Sequence, residues 1–265
     1  MTQTKRPKTT KKIGQRRVLR KAAQPQSPRD FTAKRFVERL TALRSAAELK
    51  KYHRYFKFED DGSGGDTFIG VRMGQVFALA KEFIEMPPGE IEKLLESPIH
   101  EIRAGACSLM DKQARSKKTT DERRRELYDL YMRRHDRINH WDLVDLCCIH
   151  VVGAYLADRP RAVLYKLARS KNMWQRRTAI VSTAYFMRQG EVQDAFKIAE
   201  MLLDDPEDLV HKATGWMLRF AGDVDRPRLV SFLDKHAAGM PRVALRYAIE
   251  HFDKKQRTHY LGLKQ

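Results

Sequence analysis

The chain has 265 residues, of which 42% are hydrophobic, enough to build one large domain or an elongated array. Its formal net charge is +18, from 52 basic and 34 acidic residues, which favours a polyanionic partner. Nucleic acid is favoured over anionic lipid because no segment has the one-sided aromatic and leucine face of a membrane-surface helix. Neither a long apolar run nor an apolar leader stands out, so we expect no membrane segment and a cytoplasmic, nucleoid-associated protein.

The cysteines argue against a disulfide framework or a zinc site. Only Cys107, Cys147 and Cys148 are present, without CxxC spacing and without histidines at zinc-ligand spacing beside them. We therefore expect buried, reduced thiols that behave as small apolar side chains, and no metal or cofactor.

The first 28 residues differ in composition from the rest. They hold nine Lys and Arg and no acidic residue, so half of the net charge of +18 lies there and half in the remainder. This composition predicts a disordered basic arm over 1–28 and a folded domain over 29–265. A second polar stretch, the glycine-rich segment 60–66, has no GxxxxGK[ST] sequence and is interpreted as a flexible connection rather than a phosphate-binding loop.

Apolar residues recur with helical period along nearly the whole remaining chain. A long helical pattern starts at Thr32 and continues to Leu49, and no strand alternation competes with the helical pattern beyond Gly70. Further helices are predicted near 74–86, 88–96, 99–115, 121–134, 141–157, 161–170, 173–187, 191–203, 207–221, 226–236 and 240–253.

Several of these helices share an apolar residue followed by a polar or charged residue and then small residues. The pattern recurs at Arg103, Arg177, His211 and Arg242, at separations of 74, 34 and 31 residues, and 74 is two units of 37. Periods of this size with two helices per unit predict an all-α, HEAT-like helical repeat solenoid, a superhelix of antiparallel helix pairs with a concave basic face.

The three tryptophans are spaced as corresponding residues of successive repeats. Trp141, Trp174 and Trp216 are separated by 33 and 42 residues, and each has a charged residue three or four positions later on the same helical face. Taken singly, each pair is also what a core tryptophan beside a long charged side chain would give. Three such pairs on a cationic scaffold favour a binding face.

Three segments resemble the AlkD family of alkylpurine DNA glycosylases: INHWDLVD at 138–145, WQRRTA at 174–179 and EDLVHKATGWMLR at 207–219. Shorter matches lie at 68–73, 99–103, 240–242 and 245–250, so the resemblance covers about residues 32–262. It implies excision of N3- and N7-alkylated purines from duplex DNA, without metal or cofactor, by a chain that we expect to act as a monomer.

The resemblance also implies roles for individual residues. The catalytic carboxylate falls on Asp145, the two lesion-side tryptophans on Trp141 and Trp216, and the arginines that grip the DNA backbone on Arg177 and Arg219. Because Arg176 precedes Arg177, the assignment in that helix is ambiguous by one residue, and Arg176 is retained as a further DNA-binding candidate.

The residue types fit this chemistry independently. An N3- or N7-alkylated purine is cationic and leaves readily, so the barrier lies in forming an oxocarbenium-like sugar. A carboxylate such as Asp145 stabilises that cation and orients water, while the faces of Trp141 and Trp216 attract cationic groups. Arginines would hold flanking phosphates without reading sequence.

Two alternatives remain open. Asp142 competes for the acidic role, although a first-turn aspartate is more often a partner of the helix dipole, and His100, His140, His150 and His211 are interpreted as capping or packing residues. The chain could instead be a HEAT-like module that binds DNA or protein without chemistry. A carboxylate at Asp145 in a cationic groove favours the enzyme, because it would weaken binding to a polyanion.

Overall fold

The structure is a computed structural model that describes residues 31–52 and 66–263. The basic arm predicted over 1–28 lies outside the described residues, as does most of the glycine-rich segment 60–66. Within the described ranges the chain forms fifteen α-helices and one π-helical turn.

The α-helices are numbered here in chain order. They are α1 (Ala33–Thr41), α2 (Ala46–Tyr52), α3 (Met73–Glu82), α4 (Pro88–Leu95), α5 (His100–Arg115), α6 (Asp121–Arg133), α7 (Trp141–Cys148), α8 (Ala162–Ala168), α9 (Met173–Ser182), α10 (Ala184–Met187), α11 (Gln193–Met201), α12 (Asp208–Val224), α13 (Arg226–His236), α14 (Arg242–Ala248) and α15 (Lys254–Gly262).

Helix pairs stack into a helical repeat, as the sequence periodicity predicts. Helices α3, α5, α7, α9, α12 and α14 pack one against the next and form what we call the inner row. Helices α4, α8, α11 and α13 each pair with an inner-row helix from the other side, and α4 also packs on α6. The inner row carries all three tryptophans, on α7, α9 and α12, which confirms that they occupy corresponding helices.

Local sequence signals set many of the helix starts. Side chains of Thr32, Thr120, Asn172, Asp225 and Asp253 each accept a hydrogen bond from a backbone N–H in the first turn of the helix that follows. Such caps satisfy donors that have no partner within the helix. The cap at Asp253 begins α15, a helix that the apolar periodicity did not predict, because its exposed side chains show almost no amphipathic pattern.

Three predicted helices are interrupted. The pattern from Thr32 to Leu49 divides into α1 and α2, with a turn over 42–45. The helix predicted over 141–157 widens at 149–153, where Ala154 N–H donates to the Ile149 carbonyl five residues earlier. The helix predicted over 173–187 divides at Thr183, whose hydroxyl donates to the Ile180 carbonyl at 2.6 Å and so competes with regular helix bonding.

One apolar core runs along the array between the two layers of helices. Cys107, Cys147 and Cys148 are buried free thiols within it, as expected from the sequence. None of the described helices combines the length and the apolar composition needed to cross a bilayer.

Candidate active site

Helix α7 brings a tryptophan and a carboxylate to the same side of the inner row. Trp141 is the first residue of α7, and His140 before it has extended backbone angles (φ −148°, ψ 152°) that end the preceding turn. Asp145 follows Trp141 by four residues, one helical turn, so the two side chains are neighbours on one helical face.

Asp145 is held in a two-bond ion pair by Arg177 of α9. Arg177 Nε donates to Asp145 Oδ1 at 3.0 Å, and Arg177 Nη2 donates to Oδ2 at 2.7 Å. The other terminal nitrogen of Arg177 donates to the Leu209 carbonyl at the start of α12. The guanidinium is 6% exposed and the carboxylate 17%, so Asp145 keeps an accessible edge while Arg177 is almost enclosed.

Burial sets the protonation behaviour of this carboxylate. It raises the pKa of Asp145 above the ordinary value, while Arg177 opposes the rise and the nearby carboxylate of Asp142 adds to it. The guanidinium therefore favours the ionised form in a place where a lone carboxylate would tend to take up a proton.

The carboxylate opens into a cleft with a volume of about 370 Å³. Ligand pockets in proteins commonly measure about 300–1,000 Å³. The lining combines one carboxylate, two cationic side chains and three aromatic rings: it consists of Trp141, Asp145, Arg177, Leu209, Lys212, Trp216 and Tyr247.

Close helix packing places the aromatic side of the cleft. Gly215 lies directly before Trp216 on α12, and a Cβ added there would lie 2.3 Å from the Ala244 carbonyl oxygen and 2.6 Å from Tyr247 Cβ. The missing side chain lets α12 and α14 approach closely. As a result Tyr247, which is 37% exposed, borders the same cleft as Trp216.

Arg219 and Arg176 have different surroundings from Arg177, and neither lines this cleft. Arg219 is paired with Glu250, whose side chain is 53% exposed. Arg176 is buried against Asp205, with Nε–Oδ2 and Nη2–Oδ1 distances of 2.5 and 3.0 Å, and also donates to the Ser170 and Lys171 carbonyls. Of the two neighbouring arginines, the structure therefore places Arg177 beside Asp145 and uses Arg176 to tie α9 to the turn before α12.

Trp174, the third tryptophan, belongs to the core. It is 4% exposed, and its ring centroid lies 5.9 Å from that of His140. Its place in the inner row is therefore structural, whereas Trp141 and Trp216 are only half-buried and reach the cleft.

Behind the cleft lies a buried network that sequence reasoning did not find. His100, the first residue of α5, hydrogen-bonds through Nε2 to Asp142 Oδ2 at 2.8 Å and through Nδ1 to Asp66 Oδ2 at 3.0 Å. His140 Nδ1 lies 2.5 Å from Asp142 Oδ1. Burial would raise the pKa of Asp142, but the two histidines outweigh it, and this pKa lies below its ordinary value.

The atoms of His100, His140 and Asp142 that could bind a metal ion lie within 4.8 Å of one another, as a metal site would require. Metal ligation needs an imidazole nitrogen with a free lone pair. His100 instead hydrogen-bonds to a carboxylate through each nitrogen, and carboxylates in the ionised form only accept. The contacts are those of an ion-pair network of two histidines with two aspartates.

Comparison with known proteins identifies the family of this chain. The family model for DNA alkylation repair enzymes matches residues 36–252. A solved structure described as a predicted DNA alkylation repair enzyme from Enterococcus faecalis is similar in fold, with a TM-score of 0.59 and 17% sequence identity over 79% of this chain and 95% of that one. Among curated proteins, no sequence matches this chain significantly. The match over most of the chain confirms the resemblance seen in the sequence: the protein belongs to the DNA alkylation repair enzyme family.

Proposed function

We propose that the protein is a monofunctional DNA glycosylase that hydrolyses the N-glycosidic bond of N3- and N7-alkylated purines in duplex DNA. The observation that carries the proposal is the carboxylate of Asp145, clamped by Arg177 and opening between two half-buried tryptophans on a basic scaffold. Membership of a DNA repair family supports the choice of DNA as substrate.

The reaction needs little acid catalysis from the protein. An alkylated N3 or N7 makes the base cationic, so it departs as a neutral purine, and the developing charge lies on the sugar as in glycoside hydrolysis. Asp145 stabilises this cation and orients a water molecule for attack at the anomeric carbon. Because Arg177 already fixes both carboxylate oxygens, little reorganisation accompanies the reaction.

The aromatic rings supply a second attraction for positive charge. The faces of Trp141 and Trp216 would contact the alkylated nucleotide, and such cation–π contacts contribute about 0.5–2 kcal/mol each. Tyr247 adds a third ring on the α14 side of the cleft.

Cationic side chains in the cleft and on the same helix, α12, would hold the flanking phosphates. Lys212 lines the cleft and is paired with Asp208, and Arg219 is paired with Glu250; both acidic partners are more than half exposed. Exposed ion pairs contribute only about 0–1 kcal/mol, so phosphates can replace the carboxylates at low cost. Arg177 faces the same cleft but in the free protein is paired with Asp145, and Arg176 is paired with the buried carboxylate of Asp205.

The alternative function is DNA or protein binding without chemistry. A cleft that only binds DNA gains nothing from Asp145, because a carboxylate with an accessible edge repels phosphate. Arg177 would also bind a phosphate better if its guanidinium were not paired with Asp145. This arrangement favours the enzyme.

The decisive experiment compares wild type with Asp145→Asn in single-turnover release of N7-methylguanine from a methylated duplex. The amide keeps the shape of the side chain and removes its charge, so excision should fall by at least about tenfold to a hundredfold, with DNA binding retained or slightly tighter. Residual release is expected because a cationic base departs partly unaided.

Asp208→Asn is the matched control. It removes the carboxylate that pairs with Lys212, a side chain that is 62% exposed, and should leave excision nearly unchanged. If wild type releases no base from any alkylated duplex that it binds, the protein is a binding module instead.

A further inference from the structure

His100 occupies an unusual place between two carboxylates, Asp66, which is 4% exposed, and Asp142, which is 20% exposed. Its side chain is fully buried, and each imidazole nitrogen faces a different aspartate, Asp66 on one side and Asp142 on the other. Asp66 also receives a hydrogen bond from the buried guanidinium of Arg103. The ring therefore links the segment before α3 to the first turn of α7.

Such an arrangement requires a charged ring. An ionised carboxylate only accepts hydrogen bonds, so an imidazole that bonds to two carboxylates must carry a proton on each nitrogen. Burial lowers the pKa of His100, but Asp142 and Asp66 outweigh burial and raise it to about 9. The ring of Phe68 stacks on the imidazole with centroids 4.8 Å apart, a contact that also suits a cation.

We propose that His100 is a positioning residue for Asp145: its imidazolium neutralises Asp142 and ties the start of α7 to α5. The inference rests on the proposed glycosylase function and adds a residue to it. His100 is not part of the cleft lining; it acts through Asp142, to which it hydrogen-bonds.

The consequence for Asp145 is electrostatic. Asp142 lies three residues earlier on α7, and its negative charge favours protonation of Asp145. The cation of His100, hydrogen-bonded to Asp142, offsets that charge, so Asp145 stays ionised at lower pH. The charged and titratable side chains hydrogen-bonded in this region are Asp66, His100, Arg103, His140, Asp142, Asp145 and Arg177. Buried Glu101 follows His100 on α5, and Lys212 lines the cleft beside Asp145.

The consequence for geometry is a fixed helix start. Asp142 Oδ1 accepts from the Leu143 backbone N–H at 2.8 Å and from His140 at 2.5 Å, while Oδ2 accepts from His100. The first turn of α7 is thus tied to α5. Trp141 and Asp145, on the cleft side of the same helix, take their positions from this attachment.

Two variants separate the electrostatic role from plain structural support. His100→Gln can still donate one hydrogen bond to Asp142 but removes the charge, so Asp142 acts on Asp145 without its counter-charge. Asp142→Asn removes the negative charge itself. In single-turnover excision of N7-methylguanine, the acidic limb of the pH–rate profile should move to higher pH in His100→Gln and to lower pH in Asp142→Asn, each by about half a pH unit or more.

If His100 and Asp142 only support the fold, both variants should lower the excision rate at all pH values without moving the acidic limb of the pH–rate profile. Equal shifts in the same direction, or no shift in either variant, would overturn the proposal. The amide in Asp142→Asn matches the carboxylate in size, so this variant remains informative if His100→Gln fails to fold.

A second measurement needs no catalysis. In protein labelled with ¹³C at aspartate carboxyls, with Asp145 assigned through Asp145→Asn, the titration of Asp145 should show the same two opposite shifts. In protein labelled with ¹⁵N at histidine, both ring nitrogens of His100 should remain protonated through pH 8. A His100 ring that loses its proton near pH 6.5 refutes the proposal. Opposite shifts in a protein that releases no base would sustain the electrostatic coupling and remove only the glycosylase assignment.

Discussion

Arg177 and Asp145 join two helices of the inner row through both carboxylate oxygens, at 3.0 and 2.7 Å. The pair sits where the cleft meets the core, because Arg177 is nearly enclosed and Asp145 is not. A two-bond pair fixes the orientation of the carboxylate as well as its charge. The neighbouring pair of Arg176 and Asp205 has the same form but lies away from the cleft lining, and it therefore serves as an internal control.

We expect Arg177→Gln to lower single-turnover excision by about tenfold to a hundredfold near neutral pH. Without the guanidinium, burial raises the pKa of Asp145 further, so the acidic limb of the pH–rate profile should move to higher pH. Arg176→Gln should instead destabilise the protein by about 3–5 kcal/mol, as expected for a broken buried pair, with little change in the rate per folded molecule. Equal losses of rate in the two variants would contradict the assignment of Arg177.

Trp174 on α9 and Trp216 on the neighbouring helix α12 offer a similar comparison. Trp216→Leu removes an indole that lines the cleft and should lower excision by about threefold to thirtyfold, the equivalent of one cation–π contact, with little loss of stability. Trp174→Leu removes an indole that is 4% exposed and should cost about 1–3 kcal/mol of stability while leaving the rate of the folded protein nearly unchanged. Chemical denaturation measures the stability of both variants, and single-turnover assays measure their excision rates. A lower rate in Trp174→Leu with a loss of stability in Trp216→Leu would assign Trp174 to the site.

Sequence periodicity and spacing predicted much of this arrangement, because helical geometry is local. The four-residue separation of Trp141 and Asp145 places them on one face of any α-helix. The choice between Arg176 and Arg177 is not local: it depends on how α9 is rotated against α7, and consecutive residues on a helix point about 100° apart.

The hydrogen bonds of His100 with Asp66 and Asp142 could not be predicted from local spacing. His100 and Asp142 are 42 residues apart in the chain, and only the packing of α5 against α7 brings them together. The sequence pattern suggested that His100 is a packing residue and Asp142 a partner of the helix dipole. Each description is incomplete, because the two side chains bond to each other.

Gly215 should be intolerant of a side chain. In an α-helix Gly→Ala normally stabilises by about 1 kcal/mol, but at this position the new Cβ would lie 2.3 Å from the Ala244 carbonyl oxygen. We therefore expect Gly215→Ala to destabilise by about 1–3 kcal/mol and, by pushing α14 away, to displace Tyr247 from the cleft. Gly74→Ala in α3 is the control: apart from its chain neighbours and the backbone of its own helix, no described atom lies within 4 Å of the added Cβ, so stability should be unchanged or slightly higher in urea denaturation. Equal stability changes in the two variants would show that α12 and α14 are not in close contact.

The charge on His100 also predicts how stability depends on pH. Its pKa is raised to about 9 in the folded protein, against about 6.5 for an ordinary histidine, so the folded state holds a proton that the unfolded chain releases between these values. The stabilisation is fully present below about pH 6.5 and is lost as pH rises towards 9. The free energy of unfolding should fall by about 3 kcal/mol across this interval, since each pKa unit corresponds to about 1.4 kcal/mol.

The measurement is urea denaturation of wild type and His100→Gln at a series of pH values from 6 to 9.5. Other groups also make the free energy of unfolding depend on pH. Burial raises the pKa values of the Cys147 and Cys148 thiols, so stability falls as pH rises above the range in which ordinary thiols ionise. These contributions are the same in both proteins, so the difference between the two curves isolates His100. That difference should shrink as pH rises from 6.5 to 9, because wild type alone loses the benefit of the imidazolium. A difference that stays constant over this range would mean that His100 is neutral in the folded protein, and the bridge between Asp66 and Asp142 would then lack its charge.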